Sequence, residues 1–160
     1  MTDIAFVDRP WRPVAAPIGT SIRRKTKAIL GWLATVFVNG GTAIITNRII
    51  QAGTAPKNIG WGVGTTPAAV TDTALQTESA PTTSGGRTVG TESRTTVTVS
   101  NDNYQIQGTI TAVSTLAITE HATFDNVTAG NMLIHSVGSA VNVNSGDSIQ
   151  DTFGLKQVAA

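Results

Sequence analysis

The pattern of apolar and polar positions is most regular between residues 96 and 155. Val97 and Val99 are set against Thr96, Thr98 and Ser100, which predicts a strand, and SNDN follows as a turn. Tyr104, Ile106, Gly108, Ile110 and Ala112 then share one face, with Gln105, Gln107, Thr109 and Thr111 on the other. After Val113-Ser114-Thr115 turns the chain, Leu116, Ile118, Glu120, Ala122 and Phe124 fall on a single face. MLIHSV, AVNVN and SIQDTFGL read as further strands, with turns at Thr128–Asn131 and Ser145–Asp147. Short strands at regular spacing, without βαβ alternation, predict a mainly β chain: an antiparallel β-sandwich or jelly-roll-like domain.

The first quarter reads differently. Pro10, Pro13 and Pro17 fix φ and remove donors, so residues 1–19 read as an extended arm. Trp11 in that arm either fills a pocket on another surface or folds back onto its own domain. Residues 20–38 are expected to form one short helix. Thr20 or Ser21 can cap its start, Ile22, Ile29, Leu33, Val36 and Phe37 fall near helical spacing, and Asn39-Gly40-Gly41 reads as its stop. The alternative places TVFV in a strand, with Asn39-Gly40 as a hairpin turn. TAIITNRII (residues 42–50) reads as a strand because it is short and rich in β-branched residues. The expected division is therefore an arm and helix over residues 1–41 and a β-sandwich over 42–160. NIGWGVGTT places Ile59, Trp61 and Val63 on one face and glycines opposite. Residues 64–90 are too long for an ordinary loop and read as a functional excursion or a crossing onto a neighbour.

Charge changes this picture. Residues 1–57 hold eight Lys/Arg against Asp3 and Asp8, a net of +6, whereas residues 58–160 hold three against eight acids, a net of −5. That asymmetry suggests a subunit that docks by its ends. The chain has 26 threonines and only 13% charged residues, about half the usual share. A surface so poor in charge suits a protein covered by partners. There is no cysteine, which excludes disulfides, thiolate metal sites and a cysteine nucleophile. No secretory signal is read at the start. The longest apolar run, Ala28 to Val38, is 11 residues, short of the roughly 20 that span a bilayer. The expectation is a soluble product with no membrane partner.

Candidate chemistry is sparse. His121 and His135 lie in no HExxH or HxH spacing, so no metal site or cofactor is expected. His121 should share an outward face with Thr119 and Thr123. GWGVG lacks both the order of a phosphate loop and a Walker lysine, and its glycines are better read as permitting close backbone packing beside Trp61. No GxSxG elbow marks a Ser/His/Asp triad among the many serines and aspartates, and no catalytic residue is assigned. The chain reads as no enzyme. The basic run RRKTK lacks interleaved aromatics and any nucleic-acid motif, so an acidic partner surface suits it as well as nucleic acid does.

The segments NIGWGVGTTPAAVTDTALQTE, TVTVSNDNYQIQGTITA and LAITEHATFD…GNMLIHSV, with the final GDSI strand, resemble structural proteins of tailed bacteriophages. The likeness covers roughly residues 40–155. It departs at His121-Ala122-Thr123, where Gly-Leu is common in that family, and at the terminal GLKQVAA. The resemblance implies a non-enzymatic virion protein made in the host cytoplasm, most like a capsid decoration (cement) protein on the capsid surface. Its implied partners are the major capsid protein and copies of itself, a trimer being favoured, with nucleic acid and membrane not expected. Ile4, Phe6, Val7, Trp11, Arg12, Arg23, Arg24 and Lys25 are the expected contact residues. A tail, baseplate or neck component is the alternative, followed by a carbohydrate-binding β-sandwich.

Overall fold

In the computed structural model, the structure describes residues 34–79 and 87–157. They form nine strands and one helix: β1 (Ala34–Phe37), α1 (Asn39–Ile49), β2 (Asn58–Gly62), β3 (Glu78–Ser79), β4 (Thr88–Val89), β5 (Thr91–Thr95), β6 (Asn103–Thr111), β7 (Leu116–Phe124), β8 (Met132–Val143) and β9 (Ser148–Lys156). One antiparallel sheet runs β1-β8-β7-β2-β3, with β4 also on β2, and the other runs β5-β6-β9. Both sheets contribute to one core: Ile59, Trp61, Ile118 and Ile134 from the larger, Ile106, Ile110, Ile149, Phe153 and Leu155 from the smaller. This is the expected mainly β, sandwich-like architecture.

β6 follows its sequence pattern, with Ile106, Gly108 and Ile110 buried and Gln107, Thr109 and Thr111 exposed. The 96–100 strand does not form. β5 ends at Thr95, and residues 97–101 make a turn whose Val97 and Val99 are exposed. The Asp102 carboxylate organises that turn by accepting the N–H groups of Val97, Thr98 and Val99 at 2.7–2.9 Å. A local polar capture has overridden β-branched propensity.

Of the arm and helix expected over residues 1–38, only the last five residues of the helix lie within the described residues. Residues 34–37, read as its end, are a strand paired with β8, and the expected stop at Asn39-Gly40-Gly41 is the first turn of α1. The helix then takes in most of TAIITNRII, the segment read as a strand. Gly41 is the reason: a Cβ there would meet the Phe37 ring at 2.7 Å and Leu133 O at 2.9 Å. Its absence lets the helix start pressed onto β8, where Ile44 enters the core. Tertiary burial outweighs the weak local preference for strand. A domain boundary at 41/42 would therefore fall inside α1.

β7 carries the third correction. Its register against β8 shifts between Ile118 and Glu120. The strand is irregular there, and the residues on either side of the irregularity turn to different faces. Ile118 packs in the shared core, while Ala122 and Phe124 lie in a second cluster with Val38, Leu75 and Met132. His121 consequently faces the opposite sheet and is buried, contrary to the outward position expected of it.

A candidate functional site: a buried Asp–His–Glu lock

Gly60, Gly62 and Gly64 leave the outer face of the larger sheet bare along β2 and just beyond it. A Cβ on Gly62 would run into Thr77 O and Glu120 Oε1, and one on Gly64 would meet Gln76 and Glu120 at 2.6 Å. The bare strip lets the chain leave β2, loop out and return across it close enough to touch the sheet. Glu120 receives the return. Its Oε1 accepts the N–H groups of Gly64 at 2.9 Å and Thr77 at 2.8 Å, and its Oε2 accepts that of Gln76 at 2.9 Å. One fully buried carboxylate thus pins both ends of the loop, which satisfies three backbone donors that the sheet does not pair.

His135, on the adjacent strand β8, completes the arrangement. Its Nε2 lies 3.2 Å from Glu120 Oε2 and its Nδ1 lies 2.7 Å from Asp72 Oδ2. Asp72 comes from the loop itself and also accepts the Ala69 N–H at 2.8 Å. Burial pushes the Asp72 carboxyl up, but the Ala69 N–H and His135 together hold it below the ordinary carboxylate range. The sequence of contacts is therefore loop, imidazole, buried carboxylate, loop. Glu120 has its oxygens turned to backbone donors and is not presented to solvent as a base.

A second pair joins the two sheets. His121 Nδ1 lies 2.9 Å from Asp151 Oδ2 on β9. Ser136 stands opposite His121 in the β7–β8 register, so a serine, a histidine and an aspartate do converge. The Ser136 hydroxyl, however, is hydrogen-bonded to Thr35 at 2.9 Å, and all three residues are buried between the sheets. The geometry is that of an inter-sheet polar seam.

The remaining acids of residues 58–160 are engaged within the chain as well. Glu78 forms a two-point pair with Arg87, Nε to Oε1 at 2.8 Å and Nη2 to Oε2 at 3.0 Å. Arg87 also donates to Asn126 O and Ala129 O and stacks 3.2 Å above the Phe124 ring. Asp125 accepts both the backbone and side-chain N–H groups of Asn131. Asp147 accepts the N–H of Asn144, and Glu92 accepts the hydroxyl proton of Tyr104. Burial first, and Glu92 second, push the Tyr104 hydroxyl up. With Asp102 in its turn, all eight acids hold the fold together. Glu120 and Asp151 are buried, and the other six make these contacts while at least partly exposed.

The eight expected contact residues, Ile4, Phe6, Val7, Trp11, Arg12, Arg23, Arg24 and Lys25, lie outside the described residues. The described part of the 64–90 excursion packs on its own chain, with Leu75 buried in the second cluster. Sequence reading missed the lock because Asp72, Glu120 and His135 are 48 and 15 residues apart (120 − 72 and 135 − 120) and share no motif. The usable signal was the alternate-glycine strip, which demands a close-packed covering segment. Among the described residues no cluster of three or more His, Cys, Asp and Glu side chains is placed to hold a metal ion. No helix among them is long and apolar enough to cross a membrane. Compared with protein-family models, with curated proteins and with solved structures, the chain matches none of them.

Proposed function

We propose that this chain is a structural protein of a tailed-bacteriophage virion, a decoration (cement) protein that binds the outside of the capsid and stabilises contacts between major capsid subunits. One observation carries the reading. The segments that resemble phage structural proteins supply Gly62, Gly64, Asp72, Glu78, Glu120, Asp125 and Asn131, and these residues lock the loop and neighbouring turns onto the sheet. The likeness thus rests on what shapes the scaffold. Both histidines and all eight acids of that scaffold serve its internal order. A scaffold so built suits repeated passive contacts, which gain avidity from the symmetry of a shell even when each is weak. The basic segment before β1 supplies the reach: Ile4, Phe6, Val7 and Trp11 as apolar anchors, with Arg12, Arg23, Arg24 and Lys25 for an acidic capsid surface.

The test is capsid binding by the full chain and by a chain lacking residues 1–19. The reading expects the full chain to co-sediment with undecorated capsids in a ratio near one to the major capsid protein. The shortened chain should stay folded by circular dichroism and fail to bind. Equal binding by the two would overturn the role of the arm. No binding by either, with only a few copies per purified virion, would place the protein in the neck or tail.

A further inference from the structure

Among the described residues, β9 is an edge strand of the smaller sheet. Its backbone phase can be read from both ends of the β6–β9 ladder. Gln157 N–H donates to Asp102 O at 2.8 Å, and Ala112 N–H donates to Asp147 O at 2.9 Å. Both pairs fall on the register that sets Asn103 against Lys156 and Ile110 against Ile149. Hydrogen-bonded pairs alternate along an antiparallel ladder. The odd-numbered residues Ile149 to Leu155 therefore bond to β6, while Ser148, Gln150, Thr152, Gly154 and Lys156 direct their N–H and C=O groups to the other edge. Among the described residues no strand occupies that edge.

Edges of this kind are normally blocked by shortness, proline, bulges or charge. The other edge strands follow that rule: β1 has four residues, β3 and β4 have two each, and β5 has five, including Glu92 and Arg94. β9 has nine residues, no proline and an unshifted register. Its one inward charge, Asp151, is paired to His121. Its one outward charge, Lys156, lies at the far end, tied to Thr98 Oγ1 at 2.5 Å.

We infer that two copies join antiparallel through β9 about a two-fold axis at Thr152, which merges the two β5-β6-β9 sheets into one. A two-fold interface must be complementary to itself, and this register is. Thr152 pairs with its own counterpart, Gln150 with the partner's Gly154, and Ser148 with the partner's Lys156. All of these are outward-phase residues, so no backbone bond to β6 is lost. No like charges oppose: the two lysines stand eight residues apart along the paired edge, roughly 27 Å at strand rise. The outer faces of the joined sheets carry Thr91, Ser93, Gln105, Gln107, Thr109 and Thr111, uncharged side chains that continue across the junction. This inference does not depend on the virion reading.

The experiment is sedimentation velocity of the full chain over a wide concentration range, with two variants. Thr152→Pro removes the central N–H at an edge position where β6 needs none. Thr152→Lys keeps the backbone and sets two like charges opposite each other. The chain should reach twice its 16.6 kDa mass, and both variants should remain monomeric at the concentrations where it dimerises, with far-ultraviolet spectra unchanged. A monomer at every concentration, a trimer, or a dimer that survives Thr152→Lys overturns the inference. Should Thr152→Pro fail to fold, Thr152→Lys decides alone.

Discussion

Glu120 Oε2 and His135 Nε2 lie 3.2 Å apart on neighbouring strands, and neither residue is exposed to solvent. A buried carboxylate is costly unless its partners compensate for lost water. Here the compensation comes from three loop N–H groups and one imidazole, so the stability of Glu120 and the closure of the loop are a single quantity. Glu120→Gln keeps the volume but turns an NH2 toward donors. We expect a loss of about 3 kcal/mol, the scale for breaking a buried pair from one side. Urea unfolding should show it as a lower midpoint at unchanged slope. Amide exchange at Gly64, Gln76 and Thr77 should speed up in parallel. A loss below about 1 kcal/mol would mean that something other than Glu120 holds the loop.

The bare strip predicts a graded response to alanine. At Gly62 a Cβ would collide with Thr77 O, a backbone atom, and with the fixed Glu120 carboxylate. At Gly60 its nearest neighbour is Glu78 Oε1 at 3.0 Å, the far end of a flexible side chain. Backbone cannot give way as a side chain can. Gly62→Ala should therefore cost roughly 2–3 kcal/mol by overpacking, and Gly60→Ala clearly less. Thermal unfolding of the two variants side by side checks the order. Equal costs would show that the loop does not ride on β2 as closely as the geometry states.

Fold class was legible because the strongest signals in the chain are local. β6 alternates over nine residues with one face buried, and nothing non-local contradicts it. The failures differ in cause, and only the first comes from a distant contact that outweighed a local preference. TAIITNRI is helical because Gly41 and Ile44 fit against β8, which no window of the sequence contains. TVTVS is a turn because Asp102 gathers its N–H groups. His121 is buried because the alternation along β7 is interrupted between Ile118 and Glu120, and a pattern of period two cannot announce its own interruption. The candidate site was half legible. GWGVG is read as allowing close packing, and its glycines allow it on the face opposite Trp61, where the pattern places them. The partners that fill the strip, Asp72, Glu120 and His135, come together only once the strands are paired. Charge told least about the site, because a net count does not show which carboxylates accept N–H groups.

Asp72 makes the lock sensitive to acid in a defined direction. Its carboxyl is held below the ordinary range: burial opposes this, but the Ala69 N–H and His135 prevail. A carboxylate whose folded-state pKa is depressed adds stability above its unfolded value, near 3.8. That contribution is lost as pH falls through the lower folded-state value. Asp72→Asn lacks the charge at every pH. The variant should be less stable than the parent at neutral pH, and the gap should close as pH falls below about 4, toward the folded-state pKa. The difference is the informative quantity, since Asp102 is likewise depressed by the N–H groups it accepts and destabilises both proteins in acid. Unfolding midpoints between neutral and strongly acidic pH measure it. A gap that stays constant through this range would show that the Asp72 charge contributes nothing to closing the loop.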